Sequence, residues 1–337
     1  MKATIRDVAR LAGVSPSTVS RYFTGRHVVS ESLSRRIDAA VRQLGYMPQE
    51  QSRRRNGLVL VMVPHHWWAF NARLLEEMLR LAPQYGLSVL VCQAHARNQV
   101  FRTLMSGLTL DGVIYLDEYL DGEIRRYIQA KGVRMVLIGA PSLDERCSAY
   151  HVNDMAAAYE GMRYLLDSGH RDIVLLSDFP HMINTGSQRI AGCQQALREA
   201  GLDVAADSLA EYGPLSSEGG WRGMDSALKK GRRFTAVFAF SDEAAAGAIS
   251  RLNAAGLRVP EDVSVLGFDG IALADQLVPP LSTVAQPFEK MVSLALEECA
   301  GTAPGIRGCA DHALPHRLLI RGTTRALARD TRKEEDA

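Results

Sequence analysis

From residue 58 onward, short apolar runs alternate with longer amphipathic stretches, and this alternation constrains the fold more than any other feature. The runs are 58–63, 87–92, 113–116, 133–138, 173–176, 236–240 and 263–268. Between several of them lie the helical patterns 72–85, 122–131, 155–168, 187–200, 219–231 and 243–256. A strand that is apolar throughout is buried on both faces, which is the condition of a parallel sheet covered by helices. The expected class is therefore α/β with parallel sheets. The span 58–325 is too long for one such sheet and suits two lobes. Ligands of such sheets bind outside the carboxyl ends of the strands, so two facing lobes make a cleft there.

Composition agrees with a globular chain. Of 337 residues, 47% are hydrophobic and 23% charged, which excludes a disordered protein. No apolar run reaches the ~18 residues that a membrane helix needs. The first residues, Met1 to Asp7, lack a secretory h-region, so a cytoplasmic protein with no membrane partner is expected. The five cysteines (92, 147, 193, 299 and 309) are odd in number and form no CxxC, against both a disulfide framework and a zinc site. Cys92, within an apolar run, reads as a buried thiol. His65-His66 has no third ligand at metal spacing, so no metal and no cofactor is expected. GxGxxG after a strand, GxxxxGK[ST] and GxSxG are absent, and Glu76-Glu77 and Glu297-Glu298 read as solvated helix faces, so the chain is not read as an enzyme.

The charge is unevenly spread. Residues 1–57 hold eleven Lys and Arg against four Asp and Glu, a balance of +7, while the chain as a whole carries +1. A basic head on a mildly acidic body points to a polyanion partner for the head. Within it, Thr4 is placed to cap a helix, with Asp7 closing a capping box. Ile5, Val8, Ala9 and Ala12 share one face, and Gly13 stops the helix. Ser15 caps a second helix with Pro16 at its first position. A third runs from Ser30 to Leu44, capped by Ser30 or Ser32, with Leu33, Ile37, Val41 and Leu44 at helical spacing. Two short helices joined by so tight a turn form a helix-turn-helix. Its second helix presents Pro16, Ser17, Thr18, Ser20 and Arg21 near its start. Arg21 can donate two hydrogen bonds to a guanine edge in the major groove. The hydroxyls of Thr4, Ser15, Thr18, Ser20 and Ser30 can hold phosphates. The bland alternative is a helical protein-interaction module with solvated hydroxyls.

At this point the segment Thr-Ile-Arg-Asp-Val-Ala-Arg-Leu-Ala-Gly-Val-Ser-Pro-Ser-Thr-Val-Ser-Arg (4–21) resembles the N-terminal signature of the lactose-repressor/galactose-repressor (LacI/GalR) family of bacterial transcription regulators. Leu44-Gly45-Tyr46-Met47-Pro48 continues the match. In the body, Gly169-His170-Arg171, Arg189-Ile190-Ala191-Gly192, the strand and turn 234–242, the segment 259–270 and Pro280-Leu281-Ser282-Thr283-Val284 are similar too. The resemblance implies base reading by Pro16, Ser17 and Arg21. It also implies a periplasmic-binding-protein-like body of two lobes, a sugar or purine effector with a sugar derivative favoured, and a homodimer on double-stranded operator DNA. It divides the chain into a DNA-binding domain (1–48), a hinge linker (49–57), an effector-binding and dimerisation body (58–325) and a charged tail (326–337). That tail has no leucine repeat for a tetramerising coiled coil.

Effector contacts implied by the resemblance fall on Arg189 and Asp269, with Ser241 where asparagine is common, and with Phe70 and Phe288 as aromatic positions. A buried Arg–Asp pair would offer five donors and several acceptors to a polyhydroxylated ring. Two departures stand out. Family hinges carry a leucine that wedges into the minor groove, and here that position is Arg55, in a linker with Arg53 and Arg54. Arginine cannot unstack a base step as an apolar wedge does, although it can enter a narrow minor groove, so a less kinked operator is expected. Pro64 is followed by His65-His66-Trp67-Trp68 where the family often has an aspartate. The tryptophans are candidates for stacking on a ring or for packing between lobes.

Overall fold

The structure, a computed structural model, describes residues 4–24, 31–44, 56–64, 69–93, 99–116, 122–142, 147–179, 185–202, 209–302 and 309–327. The head is three helices, α1 (Ile5–Ala12), α2 (Pro16–Thr24) and α3 (Glu31–Leu44). The capping box at Thr4 and Asp7 is present, and Gly13 ends α1 at φ 62°. Ser15 caps α2 by accepting from the Thr18 amide at 3.1 Å. The core is small: Val8, Ala9, Ala12, Val19, Ile37 and Ala40 are buried, with Ile5, Val14, Tyr22, Val41 and Leu44 packed around them. Ser32 lies inside α3, not at its cap, and Ser30 falls outside the described residues.

The body has two six-stranded sheets. The first lobe orders its strands β11 (Asp311–Leu314), β5 (Ser148–Val152), β4 (Arg134–Ile138), β3 (Gly112–Tyr115), β1 (Leu58–Val63) and β2 (Ser88–Gln93), all parallel. The second orders β12 (Arg317–Leu319), β10 (Ser282–Ala285), β9 (Ser264–Asp269), β8 (Ala236–Ala239), β6 (Ile173–Ser177) and β7 (Ala210–Tyr212); only β12 runs antiparallel. In the first sheet Leu60 lies level with Leu90 on one side and Val113 on the other.

Strand alternation divides each sheet between two helical layers. Val59, Val61 and Val63 face α4 (Ala69–Leu81) and α12 (Phe288–Cys299), whereas Leu60 and Met62 face α5 (Gln99–Gly107) and α6 (Gly122–Ala130). Ile173 and Leu175 face α7 (Asp154–Asp167) and α8 (Thr185–Glu199); Val174 and Leu176 face α9 (Ser217–Lys229) and α10 (Asp242–Ala254). The chain passes between the lobes after β5, after β10 and after β11.

The seven strands expected from the apolar runs are all present, with ends shifted by a residue or so. The runs did not mark β5, β7, β10, β11 and β12, nor α5, α11 (Ala272–Gln276) and α12. The reason is physical. Strand β5 is fully buried yet carries Ser148 and His151, whose polar atoms bond Glu298 and Asp311. Strands β11 and β12 are edge strands whose exposure alternates or is only partial.

Candidate functional site

In the head, Ser15, Pro16 and Ser17 are exposed at the start of α2, where a helix N-terminus can approach a duplex. The Ser15 hydroxyl lies 2.7 Å from that of Ser17 and 2.8 Å from that of the half-buried Thr18, so these three form one polar knot. The Thr4 hydroxyl donates to Asp7 at 2.6 Å and is in the first instance a cap. Val19 is fully buried, which turns the opposite side of α2 outward. Ser20 and Arg21 lie on this helix, with Arg21 four residues beyond exposed Ser17; their side chains are not among the described groups. Arg53, Arg55 and the expected hinge helix lie outside the described residues, as do His65 to Trp68.

In the body, four of the five expected effector residues gather at the carboxyl ends of strands or in the helices that follow, and Arg189 reaches the same edge from α8. Asp269 is the last residue of β9, 5% exposed, with φ 111°, the one positive φ among described non-glycine residues. A strained backbone of that kind is characteristic of a functional turn. Asp269 Oδ1 accepts from the Gln286 side chain at 2.9 Å, and the Gln286 amide bonds the Asp269 carbonyl at 2.8 Å. Burial lifts the Asp269 carboxyl well above the usual range; the charge of Arg189 and the Gln286 bond oppose that lift, while Asp242 and Asp154 add to it.

Arg189 is 5% exposed. Its Nε donates to Asp154 at 2.8 Å, its Nη1 to the Phe240 carbonyl, and its guanidinium lies 3.7 Å from the Phe268 ring centroid. The direct partner is thus Asp154, not Asp269. Gly192 makes this reach possible: a Cβ there would stand 2.1 Å from the Met155 carbonyl, so only glycine lets α8 close on α7. The Arg-x-x-Gly spacing, which the family resemblance marks for effector contact, is here a packing device.

Ser241 caps α10, accepting from Ala244 at 3.0 Å and donating to the Leu215 carbonyl at 2.7 Å. Its hydrogen is spent within the protein, which leaves it to meet a ligand as an acceptor. Asp242, next in sequence and fully buried, accepts from the Gly270 and Ile271 amides at 2.7 and 2.8 Å and from Thr283 at 2.6 Å. Burial pushes its carboxyl up to about 7 against those bonds. On the facing lobe, Phe70 and Phe288 form a tilted pair with centroids 5.3 Å apart, and Gly139 leaves room for Phe70.

Sequence reasoning missed Asp154, Asp242, Gln286 and the exposed Phe179 just past β6. Asp154 directly follows the capping Asn153, so the Asn-Asp pair just ahead of the 155–168 pattern was the available signal. Among the described residues no group of His, Cys, Asp and Glu can hold a metal, and no helix is long and apolar enough to cross a membrane. All five cysteines are free, and burial raises the Cys92 thiol to about 11.

The chain thus combines a helix-turn-helix head with a two-lobed body that carries a polar cluster at its strand ends. Comparison with known proteins agrees at both ends of the chain. Residues 4–49 match the family "Bacterial regulatory proteins, lacI family", and residues 162–324 match "Periplasmic binding protein-like domain". The HTH-type transcriptional repressor CytR of Escherichia coli K12 is 32% identical over 96% of this chain and 97% of its own. Among solved structures, the transcriptional regulator CelR in complex with cellobiose is 27% identical (TM-score 0.68), covering 96% of this chain and all of that one. The lac repressor dimer bound to operator is 25% identical (TM-score 0.66), covering 97% of this chain and all of that one. The chain belongs to the lacI family of bacterial transcription regulators.

Proposed function

We propose that this protein is a cytoplasmic repressor that binds a roughly palindromic operator as a homodimer and is switched by a small effector, most simply a sugar or sugar derivative. The observation that carries the reading is the cluster at the mouth of the second lobe. Asp269, Gln286, Arg189 and Ser241 converge there across from Phe70 and Phe288. Polar groups for hydroxyls beside aromatic faces for a ring are the chemistry of carbohydrate recognition. The relative solved with cellobiose supports the ligand class.

Dimerisation fits the exposed apolar residues Leu79, Val91, Trp221 and Val278, the last 91% exposed, which a second copy would cover. A two-fold axis sets two copies of α2 on successive half-sites. Effector binding changes the relation of the lobes and so of the heads; a coupling of ~1–3 kcal/mol shifts operator affinity ~5–150-fold.

The test is fluorescence anisotropy on operator DNA selected from a random pool, repeated across monosaccharides, disaccharides and nucleosides. A ligand at ~100 times its dissociation constant adds ~2.7 kcal/mol of apparent stability, so thermal shift ranks the panel first. A ligand that stabilises the protein and changes operator affinity supports the reading. No selected DNA above background removes it.

A further inference from the structure

The first turn of α4 contains no acidic residue of its own. The orphan amide of Ala69, its first residue, donates instead to Glu243 Oε2 at 2.9 Å. Glu243 belongs to the other lobe, in the first turn of α10. One carboxylate therefore sits where the N-termini of two helices converge, its own and that of α4 across the cleft, and each favours negative charge. The residue before it reinforces the contact. Asp242 fastens the amides of Gly270 and Ile271, and Ile271 is buried in the apolar cluster built by β1, α4 and α12 of the first lobe. Two consecutive acids at one helix start thus join the lobes, one directly and one through the turn it holds.

We propose that Glu243 is a latch that holds the two lobes together, with the N-terminus of α4 as its catch. The contact belongs to the chain, so the balance between closed and open lobes is set by the protein before any effector is considered. A ligand that prefers one lobe arrangement is then bound more or less tightly according to the strength of this bond. Glu243 needs to touch no ligand to tune the response. It acts by position.

The test uses the full-length protein in buffer without ligand, with spin labels on bio-orthogonal residues introduced at exposed Arg126 in one lobe and exposed Glu261 in the other. Pulsed dipolar spectroscopy then reads the inter-lobe distance distribution. Glu243→Ala is expected to lower the closed-to-open ratio about tenfold, and Glu243→Gln, which keeps an acceptor but loses the charge, by less. Ala69→Pro removes the donor while suiting the first position of a helix, and is expected to match Glu243→Ala. Combining the two must add nothing, because both remove the same bond. Circular dichroism verifies that each variant is folded. An unchanged distribution in Glu243→Ala, or effects that sum in the double variant, overturns the latch. Because no effector enters the experiment, that failure would leave the sugar reading of the cleft standing.

Discussion

Arg189 Nε donates to Asp154 Oδ1 at 2.8 Å, joining two side chains 6% and 2% exposed on neighbouring helices. The guanidinium proposed to meet a ligand is therefore also a buried counter-charge. This separates the two residues that the family resemblance treats as equals. Arg189→Ala removes the buried counter-charge of Asp154, a change that costs about 3–5 kcal/mol in buried pairs. Asp269→Asn keeps shape and tolerates the positive φ. We expect Arg189→Ala to lower the melting temperature by several degrees, and Asp269→Asn to hold it near wild type while abolishing the effector's influence on operator binding. Calorimetric scans and anisotropy titrations compare them. Equal stability of the two variants would contradict the structural share of Arg189.

The head permits a cleaner prediction. Arg21 is the charged residue of α2, four residues beyond exposed Ser17, and the family resemblance implies base reading for it. Loss of a bidentate guanine contact costs ~1–3 kcal/mol of discrimination, or roughly 5- to 150-fold. Arg21→Ala is expected to bring operator and scrambled DNA closer by that factor in a competition titration. Effector-induced thermal stabilisation should stay unchanged. Undiminished discrimination would assign base reading to other residues.

A pH effect follows from Asp242. Burial raises its carboxyl to about 7, so between pH ~4 and 7 the folded chain holds a proton that the unfolded chain releases. The stability tied to this group is present at low pH and declines as pH rises through 7. In Asp242→Asn the amide oxygen can accept from Gly270 and Ile271 while the amide nitrogen donates to Thr283. The stability of Asp242→Asn relative to wild type should therefore increase from pH 5 to pH 8, by roughly 1–3 kcal/mol. Urea melts at the two values test this; parallel pH profiles for both proteins would exclude it.

Charge is also expected to select among ligands of the cleft. Asp154, Asp178 and Glu243 lie at strand ends or helix starts along it, and Arg189 beside them is paired with Asp154. Concave sites walled by one sign of charge concentrate ligands of the other sign or none. Matched pairs give the measurement: glucose against glucose 6-phosphate, ribose against ribose 5-phosphate, each nucleoside against its monophosphate. The phosphorylated member of any binding pair should bind at least ~10-fold more weakly. A preference for the anion would show that another cation reaches the cleft.

Much of this arrangement was legible from residue order. The caps at Thr4 and Ser15, the stop at Gly13 and the seven apolar strands follow from local rules, because each depends on neighbours within a few positions. Arg189 and Asp269 came forward through resemblance, and the structure brings both to one edge. The partners of these residues were not legible. Asp154 lies 35 positions from Arg189, and Gln286 lies 17 from Asp269. No periodicity encodes a bond that forms only when two strands and two helices have packed. Strand β5 escaped for the same reason, since the groups that make its Ser148 and His151 acceptable in a core arrive from α12 and β11.

The three passages of chain between the lobes bear on how the molecule is made. The first lobe begins at Leu58, but its sheet is completed by β11 at Asp311–Leu314 and one of its faces is covered by α12. A ribosome that has delivered the whole first run of that lobe has delivered an unfinished object: a sheet with an unpaired edge at β5 and an apolar face that α4 covers only in part. Its completion waits until α12 and β11 emerge, after the second lobe has largely been synthesised. Neither lobe can be obtained by a single cut, nor exchanged with another protein's at a single breakpoint, so the two halves of the cleft are inherited together.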